Sequence, residues 1–188
     1  EGEIAAIRAA CEAEQCQAIE IARDEPERKR FWRARKGAFG AMGRLAPDLY
    51  VHDAVVPRAR LPEVLERICA IADAHGLRLS NVFHAGDGNL HPLLVYDARE
   101  PGVIERVEAA GAEIVEVSLA VGGVLSGEHG IGLEKRSLLG LQFSAIDLEV
   151  QAAVRDAFDP DGVANPTKVL PAGSRCGDLQ SIPEGVCG

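Results

Sequence analysis

Asn81-Val-Phe-His84-Ala-Gly86-Asp87-Gly88-Asn89-Leu-His91-Pro-Leu-Leu94 is the stretch from which the fold is read. Two apolar runs, Val82-Phe83 and Leu93-Leu94, flank Gly-Asp-Gly-Asn, and Asp-Gly between such runs is a strong two-residue hairpin signal. With Asp87 and Gly88 as the turn pair, Gly86 faces Asn89, Ala85 faces Leu90 and His84 faces His91. Directly opposed residues on one sheet face have β-carbons about 4.5–5.5 Å apart. The expectation is two imidazoles side by side and aimed the same way, an arrangement that suits a divalent metal better than packing.

Amphipathic patterns extend outward from this hairpin on both sides. Leu61, Val64, Leu65, Ile68, Ala72 and His75 recur at three- and four-residue steps and predict a helix over 61–75, with Gly76 placed to end it. Val103, Val107, Ala110, Ile114, Val117 and Val121 predict a longer helix over 102–121, broken by Gly122-Gly123. Upstream, 3–14 reads as a short Ala- and Glu-rich helix, and 18–22 alternates like a strand. Asp24-Glu25-Pro26-Glu27 reads as the start of a helix to about Met42, and 49–56 as a strand. Downstream, a short helix is expected near 133–139. Ser144-Ala-Ile-Asp147 resembles a capping box opening a helix to Phe158, with Ile146, Val150, Ala153, Val154 and Ala157 facing inward. Residues 165–171 read as a rigid extended segment, and 172–188 as a disordered polar tail. The order β(18–22)-α-β(49–56)-α-β-β(79–96)-α points to an α+β domain, with helices covering one face of a mainly antiparallel sheet.

Composition narrows the classes. A chain of 188 residues with 47% hydrophobic and 26% charged residues suits one soluble globular domain. The net charge of −9 and the lack of a basic stripe argue against nucleic-acid binding. No apolar run approaches the roughly 18 residues of a transmembrane helix, and no signal peptide is visible. Cys11, Cys16, Cys69, Cys176 and Cys187 are scattered, odd in number and free of Cys-x-x-Cys spacing. They indicate neither a disulfide framework nor a thiolate zinc site, and a reducing cytoplasm is the default reading.

Paired histidines need a third ligand, and the loop Gly127-Glu128-His129-Gly130 offers the best carboxylate in Glu128. Two His and one carboxylate is a recurrent set for zinc, manganese or iron with open coordination positions. Glu128 reads equally simply as a residue of a solvated glycine loop. His129 beside it is suited to take or give a proton near neutral pH, or to bond a backbone carbonyl. Arg33, Arg35 and Lys36 beside Trp32 read as a solvated helix face, unless one arginine turns inward to grip a carboxylate in bidentate fashion. A stand-alone metal-dependent hydrolase and a non-catalytic α+β interaction module remain open on these residues alone.

His84-Ala-Gly-Asp-Gly-Asn-Leu-His91, Ser126-Gly-Glu-His-Gly-Ile-Gly132 and Phe158-Asp-Pro-Asp-Gly-Val-Ala-Asn-Pro-Thr-Lys168 occur together, in that order. In combination they resemble the C-terminal cap domain of FAD-linked oxidases and dehydrogenases, over about Glu3 to Pro171. The family includes the glycolate oxidase flavin subunit and the D-lactate and D-2-hydroxyglutarate dehydrogenases. The resemblance implies a ferredoxin-like cap over residues 1–171 with a C-terminal helical segment, its FAD-binding domain lying outside this chain. It implies a divalent metal held by His84, His91 and Glu128, with the two histidines also touching substrate. His129 would be the base that removes a hydroxyl proton while hydride passes from C2 to FAD. Arg35 would hold the substrate carboxylate and Asn165 would lie towards the flavin. The substrate would be a small D-2-hydroxy acid of the glycolate or D-lactate type. The hydroxyglutarate branch has lysine where Val51 stands, which disfavours a dicarboxylate. The family's first cap strand is expected just before Glu1, and a sheet lacking it would expose an edge open to homodimer pairing. An electron-transfer subunit and a cytoplasmic location, peripheral at the inner membrane face, complete the expectation. The chain alone is not expected to turn over substrate.

Overall fold

Helical periodicity and strand alternation are realised in two units of the chain, seen in a computed structural model that describes residues 2–171. The tail expectation for 172–188, with Cys176 and Cys187, lies outside the described residues. Among those described, Cys11, Cys16 and Cys69 are free thiols.

The first unit, Glu1–Met42, holds α1 (Gly2–Ala13) and α2 (Glu25–Met42). Asp24 opens α2 as expected, its carboxylate accepting the Glu27 N–H at 2.8 Å. None of the unit's described residues is buried. The alternating segment 18–22 is irregular, which corrects the strand expected there. An alternating pentapeptide becomes a strand only where a neighbour supplies the ladder, and no described strand pairs with it.

The second unit, Gly43–Gly188, carries the sheet. Its strands are β1 (Asp48–Val51), β2 (Ala54–Val55), β3 (Arg78–His84) and β4 (Asn89–Tyr96), all antiparallel to the central β4. β1 and β2 are one strand in register. Val51 pairs with Leu93 and Ala54 with Leu90. The interruption at His52-Asp53 falls opposite Pro92, which has no N–H to donate. His52 N–H still reaches the Pro92 carbonyl at 2.9 Å.

Helices α3 (Leu61–Ala74) and α4 (Val103–Ala120) cover one face of this sheet. Val64, Ile68, Val107, Ala110 and Ile114 pack with Leu90 and Leu94 of β4 into the main core. A turn of 3-10 helix at Arg136–Leu138 and α5 (Leu139–Gln142) follow, then α6 (Ala145–Phe158). Leu125, Leu139 and Val115 form a second, smaller core under the loop that leads out of α4. The architecture is α+β, with helices on one face of an antiparallel sheet, as expected.

Two other expectations are corrected. α6 starts at the capping box of Ser144 and Asp147, yet Ile146, Val150 and Val154 are all more than half exposed. Only Ala152 on this helix is buried, so the apolar stripe does not face the core. The segment 165–171 is not extended. Asn165, Thr167 and Val169 take positive φ angles of 45°, 67° and 73°. Guanidinium groups bond its carbonyls and the one just before it, Arg155 those of Ala164, Asn165 and Lys168 and Arg136 that of Thr167.

Candidate functional site

The hairpin differs from the expected two-residue turn. β3 and β4 pair His84 with Asn89 and Val82 with His91, leaving a four-residue loop from Ala85 to Gly88. Longer hairpin loops of this kind are built around ordinary turns, and here Asp87 N–H bonds the His84 carbonyl at 3.0 Å. Gly88 sits at φ +73°, and a β-carbon there would lie 2.1 Å from the Val56 carbonyl oxygen. The loop can therefore press against the next strand only with glycine at this position. The register moves by two residues relative to expectation. Side chains alternate with a period of two, so the histidines keep a common face and become diagonal neighbours instead of direct ones. Their ring centroids are 5.5 Å apart, edge to face.

On the other side of β4 the register shared by β1 and β2 continues through the break and sets Asp53 across from His91. Three strands thus present His84, His91 and Asp53 to one sheet face, opposite the helices. The glycine loop after α4 folds over it. Val124 bridges to Val55, and a β-carbon on Gly127 would lie 2.7 Å from both Asn89 Oδ1 and Val55 Cγ2. That close approach brings Glu128 Oε1 to 2.8 Å from His91 Nε2 and 3.7 Å from His84 Nε2. His129 stacks on His91, with centroids 5.0 Å apart and planes 11° from parallel.

His84, His91 and Glu128 each offer a donor atom, all within 4.8 Å of one another. Two ligands each about 2.1 Å from a tetrahedral centre are about 3.4 Å apart, and the 2.8 and 3.7 Å separations bracket that distance. His91 is buried, whereas the side chains of His84 and Glu128 are half exposed. The donor set therefore fits a divalent ion with one side left open to a small ligand.

Electrostatics around the site are shaped by a buried pair. Burial acts to raise the Asp53 carboxyl, but bonds from the Ser126 hydroxyl and the His129 and Glu128 N–H groups outweigh it, and its pKa is held down at about 2. Lys135, also buried, has its pKa lowered by desolvation. Its ammonium donates to the carbonyl oxygens of Asp53 and Leu125. In the sequence Asp53 shows only as a lone acid in an apolar strand, and Lys135 as one cation in a short helix. No local signal links either to the loop.

Of the other expected residues, Arg35 stands exposed on α2 in the first unit, while the cluster is built from the second unit alone. Neighbouring cations of α2 pair along their own helix, Arg28 with Glu25 at 2.7 Å and Arg30 with Glu27 at 3.0 Å. Asn165 is exposed, its carbonyl held by Arg155 at 2.8 Å.

The family model for the C-terminal domain of FAD-linked oxidases matches residues 1–169. The chain belongs to this family. Among curated relatives of this FAD-linked oxidase domain, the glycolate oxidase subunit GlcD of Escherichia coli (strain K12) is 49% identical over 164 residues, 87% of this chain and 33% of the relative. GlcD of Bacillus subtilis (strain 168) is 35% identical over 90% of the chain and 36% of its own length. A probable mitochondrial D-lactate dehydrogenase of Danio rerio is 36% identical over 79% of the chain and 30% of its own length. The chain spans about a third of the length of these relatives. No helix among the described residues is long and apolar enough to cross a membrane.

Proposed function

We propose that this FAD-linked oxidase domain is the substrate- and metal-binding half of a flavin-dependent D-2-hydroxy acid dehydrogenase or oxidase. The observation that carries it is the convergence of His84, His91 and Glu128, from two separate motifs, beside a stacked His129. The names of the relatives, glycolate oxidase and D-lactate dehydrogenase, supply the substrate class.

When bound, a divalent ion would supply Lewis-acid polarisation of a carboxylate and hydroxyl, and FAD would supply the hydride acceptor. His84, His91 and Glu128 would hold the ion, and the open side beside His84 would leave room for the 2-hydroxy acid. His129 would take the hydroxyl proton of the 2-hydroxy acid as its C2 is oxidised to a carbonyl. Stacking on His91 fixes the plane of the His129 ring, which supports this reading. On the family resemblance, Arg35 would hold the substrate carboxylate and Asn165 would lie towards the flavin.

Replacing both His84 and His91 by alanine is expected to abolish zinc or manganese binding in calorimetric titration of the purified chain. Full affinity in the double variant would refute the ligand assignment. In the FAD-loaded protein that contains this domain, His129→Ala should slow flavin bleaching by glycolate or D-lactate at least ~100-fold while FAD content stays the same. Bleaching at the wild-type rate would remove His129 from the base role.

A further inference from the structure

The loop from Ser126 to Gly130 has no regular structure, yet four donors in it converge on one oxygen. Ser126 Oγ at 2.6 Å, and the N–H groups of Gly127 at 2.7 Å, Glu128 at 3.0 Å and His129 at 3.0 Å, all donate to Asp53 Oδ2. Asp53 is completely buried. Its other oxygen, Oδ1, accepts no hydrogen bond and lies 3.8 Å from His91 Nδ1, which is also buried and unsatisfied. Lys135 anchors the same strand to the loop through the Asp53 and Leu125 carbonyls. One carboxylate therefore touches both halves of the candidate site, the glycine loop through Oδ2 and the hairpin histidine through Oδ1.

We propose that Asp53 is the positioning residue of the metal site: Oδ2 fixes the backbone that carries Glu128 and His129, and Oδ1 orients His91 by taking its Nδ1–H. The inference rests on the metal-site reading above and assigns a role to a residue that is not itself a ligand in it. A neutral imidazole carries one proton, and the partner of one ring nitrogen decides whether the other has a lone pair to give. In His91 the nitrogen that faces Glu128 is Nε2, so the proton must reside on Nδ1 for Nε2 to ligate. A carboxylate oxygen at Nδ1 favours that tautomer. At 3.8 Å the pair is longer than a hydrogen bond, but both atoms are otherwise unsatisfied, so closing the gap breaks no other bond.

Asp53→Asn separates the two tasks. The asparagine carbonyl can still accept from the loop N–H groups, while its amide presents a donor to His91 Nδ1 and favours the wrong tautomer. Zinc titration of wild-type and Asp53→Asn chains is the deciding measurement. Amide hydrogen exchange at Gly127, Glu128 and His129 reports loop order independently of metal. The expected result is a 10–100-fold loss of zinc affinity in Asp53→Asn, the range seen for lost outer-shell partners, with loop protection kept. Asp53→Ala should lose both affinity and protection. Nitrogen-15 NMR of the zinc-loaded wild type should show His91 ligating through Nε2 with a proton on Nδ1. Equal zinc affinity in Asp53→Asn and wild type overturns the inference and leaves the metal reading standing. A wild-type chain that takes up no zinc overturns the metal reading and this inference with it. Should Asp53→Ala fail to fold, the Asp53→Asn comparison decides alone.

Discussion

His52 and Asp53 are adjacent, both fully buried, and opposite in how they are satisfied. Asp53 has four donors on one oxygen, whereas neither ring nitrogen of His52 has a hydrogen-bond partner. Burial, reinforced by the Lys135 cation, pushes the His52 imidazole down to about 3. The unfolded histidine titrates near 6.5, so below that value the unfolded chain binds a proton that the folded chain refuses. Stability is therefore intact above pH 6.5 and declines as pH falls towards 3, by about 1.4 kcal/mol per pH unit while only the unfolded form is protonated. Urea denaturation followed by circular dichroism at steps from pH 7 down to about pH 5.5 should show this slope, staying clear of the ordinary aspartate and glutamate range. His52→Leu should flatten it, and an unchanged slope would mean that another group carries the effect. At this scale His84, His91, Glu128 and His129 could be singled out from the sequence because their motifs are local. Asp53 could not, because its partners lie more than seventy positions along the chain and only tertiary contact creates its role.

The hairpin shows what a local pattern fixes and what it leaves free. The Asp-Gly pair signals a reversal, and alternation assigns the histidines to one face. Loop length is decided by the neighbouring strand, where the Gly88 carbonyl and the Val56 backbone meet: Val56 N–H bonds the Gly88 carbonyl at 3.0 Å. Gly88→Ala must bear both a positive φ and the clash with Val56, so it should destabilise the chain by more than ~1 kcal/mol in urea titration. A neutral effect would show that the loop can be rebuilt away from β2. The capping box of α6 is the opposite case, being wholly local. Ser144 Oγ accepts the Asp147 N–H, and Asp147 returns a bond to the Ser144 N–H at 2.9 Å. Ser144→Ala should cost about 1 kcal/mol. The 18–22 segment has strand-like alternation but no strand beside it, and alternation alone does not make a ladder.

Across the whole molecule, the helices over the sheet were legible and the burial of α6 was not. α3 and α4 have an opposing sheet face to cover, so their apolar stripes become the core. α6 carries a stripe of similar spacing, and Ile146, Val150 and Val154 stay 71%, 58% and 54% exposed. Val150→Glu with Val154→Glu should therefore change the unfolding free energy of the chain by only about 0.5 kcal/mol or less, as for other surface positions. A loss of several kcal/mol would show that the stripe is part of the core after all. The sequence by itself determined the α+β class, most helix boundaries and the shared face of the two hairpin histidines, because these follow from backbone periodicity and local turn chemistry. Only the tertiary structure decided the four-residue loop, the exposure of α6 and the burial of Asp53 between β4 and the glycine loop. Those depend on which distant segment comes to lie alongside, and no periodicity within a segment encodes its neighbour. The His84–His91 hairpin offers two candidate ligands, and the fold supplies Asp53, whose carboxylate accepts the Glu128 N–H at 3.0 Å.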